Sequence, residues 1–157
     1  SGNSIATLVL LRLAALTEKA QYRELAQSTL ELFSELMSQS PAACCQMAVA
    51  VDFYHDEALE IVVVGSEEDR RSLFQVVHEE FLPHKVVAGW EPRTAGMESG
   101  GSTWGPEQAS ELLPLLQGRL EYAEQALAFV CRDSVCLTPI HDPAQLRTSL
   151  AAVGLQT

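Results

Sequence analysis

The stretch "LEIVVVGSEEDRRSLFQVVHEEFLPHKVVAGW", residues 59–90, decides the fold of this chain. Its first six residues are mostly apolar and β-branched with little alternation, and they end at Gly65, as in a buried strand. Residues 66–82, "SEEDRRSLFQVVHEEFL", carry apolar side chains at helical spacing and stop at Pro83. "KVVAGW", residues 85–90, reads as a second strand. A right-handed crossover between the two strands makes them parallel.

Downstream, residues 91–105, "EPRTAGMESGGSTWG", contain five glycines or prolines and read as a mobile loop. "PEQASELLPLLQG", residues 106–118, reads as a helix that opens on Pro106 and is kinked or shortened by Pro114. "LAFVC" and "VCLTP", residues 127–131 and 135–139, read as a hairpin. "DPAQLRTSLAAVG", residues 142–154, reads as a final helix capped by Asp142. The expected order is βαβαββα, a small three-layer α/β part that is thioredoxin-like in topology only. A layout of this kind carries no function by itself.

Upstream, residues 3–55 read as three helices, so the chain as a whole is α+β / α/β. Asn3 or Ser4 caps the first, whose apolar residues Ile5, Leu8, Val9, Leu11, Leu13 and Leu16 fall on more than one face and predict burial on most sides. The second is amphipathic, with Tyr22, Leu25, Ala26, Thr29, Leu32, Phe33, Leu36 and Met37 on one stripe. The short "TEKAQ" link suits an antiparallel helix pair. The third helix is expected to start with Ser40 as cap and Pro41 at the first position. The helical segment covers residues 1–57 and the α/β module residues 58–157.

At 157 residues the chain has the length of one domain or of a compact part of a larger protein. An apolar fraction of 47% supports a packed core without staples. No apolar run reaches the roughly 20 residues of a membrane helix. The start, "SGNSIATLVLLRL", has neither a basic lead nor a small-residue cleavage site and reads as the interior of a longer protein. A net charge of −11 with no basic cluster argues against nucleic acid and against anionic membranes as partners. Four cysteines are too few for a disulfide scaffold.

Two of those cysteines, Cys131 and Cys136, face each other across the expected hairpin turn at Asp133–Ser134. Opposed strand residues lie close enough for a disulfide, beside the plainer reading of two buried structural thiols. A thioredoxin-type redox pair needs two intervening residues at a helix N-terminus, whereas here four intervene in a hairpin. His141 makes the spacing Cys-x4-Cys-x4-His, but zinc asks for a fourth ligand. Cys44 and Cys45 are helix neighbours that point about 100° apart, poorly placed to share an ion and better read as buried thiols. Cys131, Cys136 and His141 are thus only weak metal candidates, and no metal or cofactor is expected.

Gly65–Ser66 stands where phosphate-binding turns stand, but Glu67, Glu68 and Asp69 would repel the anion and already complement the helix N-terminus. "VVHEEF" lacks the second histidine of a zinc-protease motif. His55, beside Asp56 and Glu57 at a helix end, has no adjacent nucleophile. No catalytic residue is assigned. Ser1, Asn3 and Ser4 at the mouth of the first helix are candidates for a polar ligand such as a sugar, beside the plainer role of capping.

"SGNSIATLVLLRLAALTEKAQYRELAQSTLELFSELM", "VDFYHDEALEIVVVG", "FLPHKVV" and "FVCRDSVCLTPIHDPAQL" together resemble the C-terminal portion of the spermatogenesis-associated protein 20 family, over nearly the whole chain. The resemblance implies an N-terminal thioredoxin-like domain followed by an α/α toroid similar to sugar epimerases and six-hairpin glycosidases. Residues 1–57 would be the last toroid helices and residues 58–157 an appended module, with the remainder of the parent chain as partner. It also implies a role in spermatogenesis and fertility, secretion, and a carbohydrate-type ligand near Asn3 and Ser4. The family's redox motif belongs to the N-terminal domain and does not transfer to Cys131 and Cys136. Three roles follow as expectations: an accessory module without catalysis of its own, a contributor of pocket residues to a sugar-active parent, or a thiol switch at the Cys131–Cys136 pair.

Overall fold

A computed structural model of the chain describes residues 1–91, 104–120, 125–132 and 135–154. Most of the loop read over residues 91–105 and the hairpin turn at Asp133–Ser134 lie outside the described residues. The chain divides into two compact units, Ser1–Ala58 and Leu59–Thr157. The fold is mixed α+β, with helices in both units and a mixed four-stranded sheet in the second.

The first unit holds α1 (Gly2–Thr17), α2 (Ala20–Gln39) and α3 (Cys45–His55). α1 ends where Glu18 adopts a left-handed φ of 54° and returns its N–H to the Ala14 carbonyl at 2.8 Å. That cap and Lys19 double the chain back, so α2 packs on α1. The start of α1 differs from expectation. Ser1 is the cap, its hydroxyl accepting from the Ser4 N–H at 3.4 Å, because the helix already begins at Gly2. Asn3 and Ser4 therefore lie within the helix rather than before it.

Burial in this unit is also unexpected. α1 buries Ser4, Thr7 and Leu11, α2 buries Ala26 and Leu30, and α3 buries Met47, Ala50 and Phe53. The small residues among them, Ser4, Thr7, Ala26 and Ala50, let the helices approach closely. The Thr7 hydroxyl, fully buried, donates to the Asn3 carbonyl at 2.8 Å and so carries no desolvation penalty. The expected stripe of α2 splits, since Leu25, Leu32 and Leu36 remain exposed together with Ile5 and Val9 of α1. α1 is thus not buried on most sides within this chain.

The third helix also begins later than expected. Pro41–Cys44 forms a 3-10 turn, in which the Ala43 N–H donates to the Ser40 carbonyl at 3.0 Å, and the α-helix starts at Cys45. The Ser40 side chain makes no capping bond. Of the two adjacent thiols, Cys44 is buried and Cys45 exposed, and both are free.

The second unit is built on β1 (Leu59–Val64), α4 (Glu67–Glu79), β2 (Lys85–Trp90), α5 (Pro106–Leu112), β3 (Leu127–Arg132), β4 (Val135–Cys136) and α6 (Pro143–Gly154). The strands lie in the order β2-β1-β3-β4. β1 runs parallel to β2, with Leu59 beside Lys85, and antiparallel to β3, with Val62 beside Phe129. This interior place explains the unbroken apolar run: Ile61, Val62, Val63 and Val64 are all fully buried. On one face Leu59, Ile61, Val63, Ala128 and Val130 pack with Leu73, Val76 and Val77 of α4 and Leu146 and Leu150 of α6.

Local chemistry sets the ends of these helices. The Ser66 hydroxyl accepts from the Asp69 N–H at 3.2 Å, and the Asp142 carboxylate from the Gln145 N–H at 2.9 Å. The Lys85 ammonium donates to the Glu80 carbonyl at 2.8 Å, covering the C-terminus of α4. Pro114 shortens its helix rather than kinking it. α5 stops at Leu112, Leu113 leaves the helical region with φ −124° and ψ 88°, and a 3-10 turn follows at Pro114–Leu116.

Candidate functional site: a disulfide beneath an arginine

Residues 129 and 131 of β3 point to the sheet face opposite α4 and α6, by the two-residue period of a strand. On this side lies the 3-10 turn at Pro114–Leu116, which packs on β1 and buries Leu115 and Leu116. Gly118 follows with a φ of 70°, a left-handed turn that glycine adopts freely. The next N–H, that of Arg119, donates to the Leu116 carbonyl at 3.1 Å. Arg119 is thereby aimed back over the sheet.

Cys131 and Cys136 are directly opposed in the β3–β4 ladder and joined by a disulfide, with their Cα atoms 4.0 Å apart. The Leu137 N–H donates to the Val130 carbonyl at 2.9 Å, just outside the pair. That bond marks positions 131 and 136 as a non-hydrogen-bonded pair, the kind in which facing Cα atoms come closest. The two sulfurs differ in surroundings. Cys131 is 1% exposed, whereas Cys136 lies on the open edge strand between exposed Val135 and Leu137.

The Arg119 guanidinium rests on this bridge. Its Nη2 lies 3.0 Å from the Cys131 sulfur and 3.3 Å from the Cys136 sulfur. Nη1 donates to the Leu115 carbonyl, and the charged carbon stands 5.9 Å from the centre of the Phe129 ring. The group is half-buried and held from three sides. Sulfur in a disulfide is a weak acceptor, but a thiolate beside a fixed cation is strongly favoured.

The candidate residues from the sequence are placed as follows. Cys131 and Cys136 are brought together, and their sulfurs are bonded to each other, so neither offers a thiolate to an ion and neither is a free structural thiol. His141 is exposed, one residue beyond the bridge between Ala128 and Ile140. Among the described residues no group of three or more His, Cys, Asp or Glu is arranged to hold a metal. Ser4 is buried and its hydroxyl lies 3.0 Å from that of Ser1, while Asn3 is exposed. The sequence alone does not single out Arg119. Its only sequence signal is a cation after a Pro-x3-Gly turn, twelve residues before Cys131, and nothing in the order of residues says that the turn folds onto the hairpin.

The chain is similar to spermatogenesis-associated protein 20 of Homo sapiens, 30% identical over 154 residues that make up 96% of this chain and 18% of the human protein. The Rattus norvegicus and Mus musculus proteins of the same name are 29% and 27% identical over the same shares. The resemblance read from the sequence thus holds across almost the whole chain, which spans under a fifth of the length of these relatives. That proportion fits a C-terminal portion of a longer protein. No family model matches the chain, and no solved structure matches it.

Proposed function

We propose that this chain, a relative of spermatogenesis-associated protein 20, is the C-terminal accessory module of a longer protein with a role in spermatogenesis and fertility. In this reading the first unit supplies the last helices of an α/α toroid. The second is an appended α/β part whose strand order supports a thioredoxin-like arrangement without a thiol at the first strand-to-helix turn. The observation that carries the reading is the apolar stripe of the first unit. Leu25, Leu32 and Leu36, spaced seven and four residues apart, share one side of α2 and are 57%, 78% and 47% exposed. Ile5 and Val9 of α1 are exposed as well, while Ser4 and Thr7 take the inner face. A toroid helix has neighbours on both sides, and the remainder of the parent chain would cover this stripe.

Hydrogen exchange tests the reading. In the full-length parent the α1 and α2 amides exchange far more slowly than in this chain alone. Equal exchange rates in the two would count against a toroid.

A second reading rests on the exposed Asn3 beside the capped start of α1. There the parent is a sugar-active enzyme to whose pocket Asn3 contributes, and the general acid or base comes from elsewhere in the parent chain. Asn3→Ala in the full-length protein then weakens sugar binding at least tenfold. Unchanged binding, or no binding by the parent, excludes it.

A further inference from the structure

We propose that the Cys131–Cys136 bridge is a thiol–disulfide exchange site of fixed polarity, in which an external thiol attacks Cys136 and Arg119 stabilises Cys131 as the leaving thiolate.

Three observations set that polarity. Cys136 is an exposed residue of the edge strand, the side from which a thiolate can approach, whereas Cys131 is 1% exposed. Attack on a disulfide requires access to the sulfur that forms the new bond, so Cys136 is the electrophile. The electron pair of the broken bond then goes to Cys131, the sulfur nearer to the guanidinium at 3.0 Å. Leaving groups depart faster when their thiolates are stabilised. Arg119 is well suited to this because the Leu115 carbonyl and the Phe129 ring hold it in place before the reaction starts.

The step balances as follows. A thiolate attacks the Cys136 sulfur, a new intermolecular S–S bond forms, and the Cys131–Cys136 bond breaks to give the Cys131 thiolate. A second thiolate attacks the outer sulfur of the adduct, releases the Cys136 thiolate and leaves as a small-molecule disulfide. Two external thiols are oxidised to one disulfide, and the protein takes up two electrons. Solvent supplies protons to whichever thiolates are neutralised. The reverse sequence, with an external disulfide as oxidant, restores the bridge.

The test uses the intact chain and 2-mercaptoethanol, a small monothiol that carries no charged group besides the attacking thiolate. Early reaction mixtures are quenched with N-ethylmaleimide and mapped by peptide mass. The expected product carries mercaptoethanol on Cys136 and maleimide on Cys131. Arg119→Ala slows opening of the bridge by about fivefold to tenfold, and Arg119→Lys recovers most of the rate. Raising the salt to about 1 M, where the screening length falls to about 3 Å, narrows the gap between parent and Arg119→Ala. A mercaptoethanol adduct on Cys131, a bridge that the thiol does not open, or an Arg119→Ala chain opened as fast as the parent overturns the proposal. Mapping on the unaltered protein decides the polarity even where Arg119→Ala fails to fold.

Discussion

Glu91 and Arg70 pair at 3.1 Å across the N-terminus of α4, with the glutamate side chain only 7% exposed. The other carboxylate oxygen of Glu91 accepts from the Glu67 N–H at 3.0 Å. This is the strand-to-helix turn at which the sequence raises a phosphate site and its acidic residues reject one. The chain's own carboxylate takes the place an anion would occupy, and with Ser66 it satisfies donors that the helix cannot satisfy internally. Glu91→Ala is expected to destabilise the second unit by about 2–4 kcal/mol, since Arg70 and the helix end lose a buried partner. Urea unfolding measures the loss. A change near zero would mean that solvent replaces the carboxylate at no cost.

Gly65 precedes the same turn with a φ of 130°. A Cβ there would stand 2.7 Å from the Ala126 Cα, a backbone atom that cannot step aside. Gly65→Ala therefore combines a disfavoured dihedral with a clash and should cost about 2–4 kcal/mol. Thermal unfolding checks this, and Ala126→Gly is not expected to rescue it, because the Cα remains.

Arg147 of α6 reaches across to the end of α4, donating to the Glu79 carboxylate and, at 2.8 Å, to that of Glu80. The hydrogen bond from Arg147, helped by one from Gln75, holds the Glu79 carboxyl below its ordinary pKa. A carboxyl depressed in the folded state adds stability above its unfolded pKa, and that stability is lost as the pH falls through the folded pKa. Arg147→Gln should therefore raise the Glu79 pKa, as read by carboxyl-carbon NMR. The parent should be the more stable at neutral pH, and the difference should shrink as Glu79 is protonated. Both side chains are about half exposed, 47% and 44%, so added salt should shrink the effect.

Reduction of the Cys131–Cys136 bridge opens a very short loop. The chain-entropy model gives about 2 kcal/mol for closing it. The urea midpoint of the parent should fall with dithiothreitol by the corresponding amount, while that of Cys131→Ala/Cys136→Ala should not respond to reductant. A double variant that still shifts would locate the redox sensitivity at Cys44 or Cys45.

Hydrophobic period and punctuation marked most of the local elements of this chain, though not the start of α3 at Cys45 or the end of α4 at Glu79. The apolar run from Ile61 to Val64 marked a buried strand, because a strand with sheet on both sides and layers on both faces buries side chains of both faces. Pro106, Pro114 and Asp142 set helix boundaries through chemistry local to a few residues. The opposition of Cys131 to Cys136 followed from hairpin register. Tertiary structure alone decided what depends on distant partners. Whether Ile5 or Ser4 faces inward turns on which helix packs beside α1, and both choices satisfy a helical period. Glu91 closes the α4 N-terminus from 24 residues away. Arg119 meets the two sulfurs because a Pro–Gly turn folds across a sheet, a meeting that neither spacing nor composition encodes.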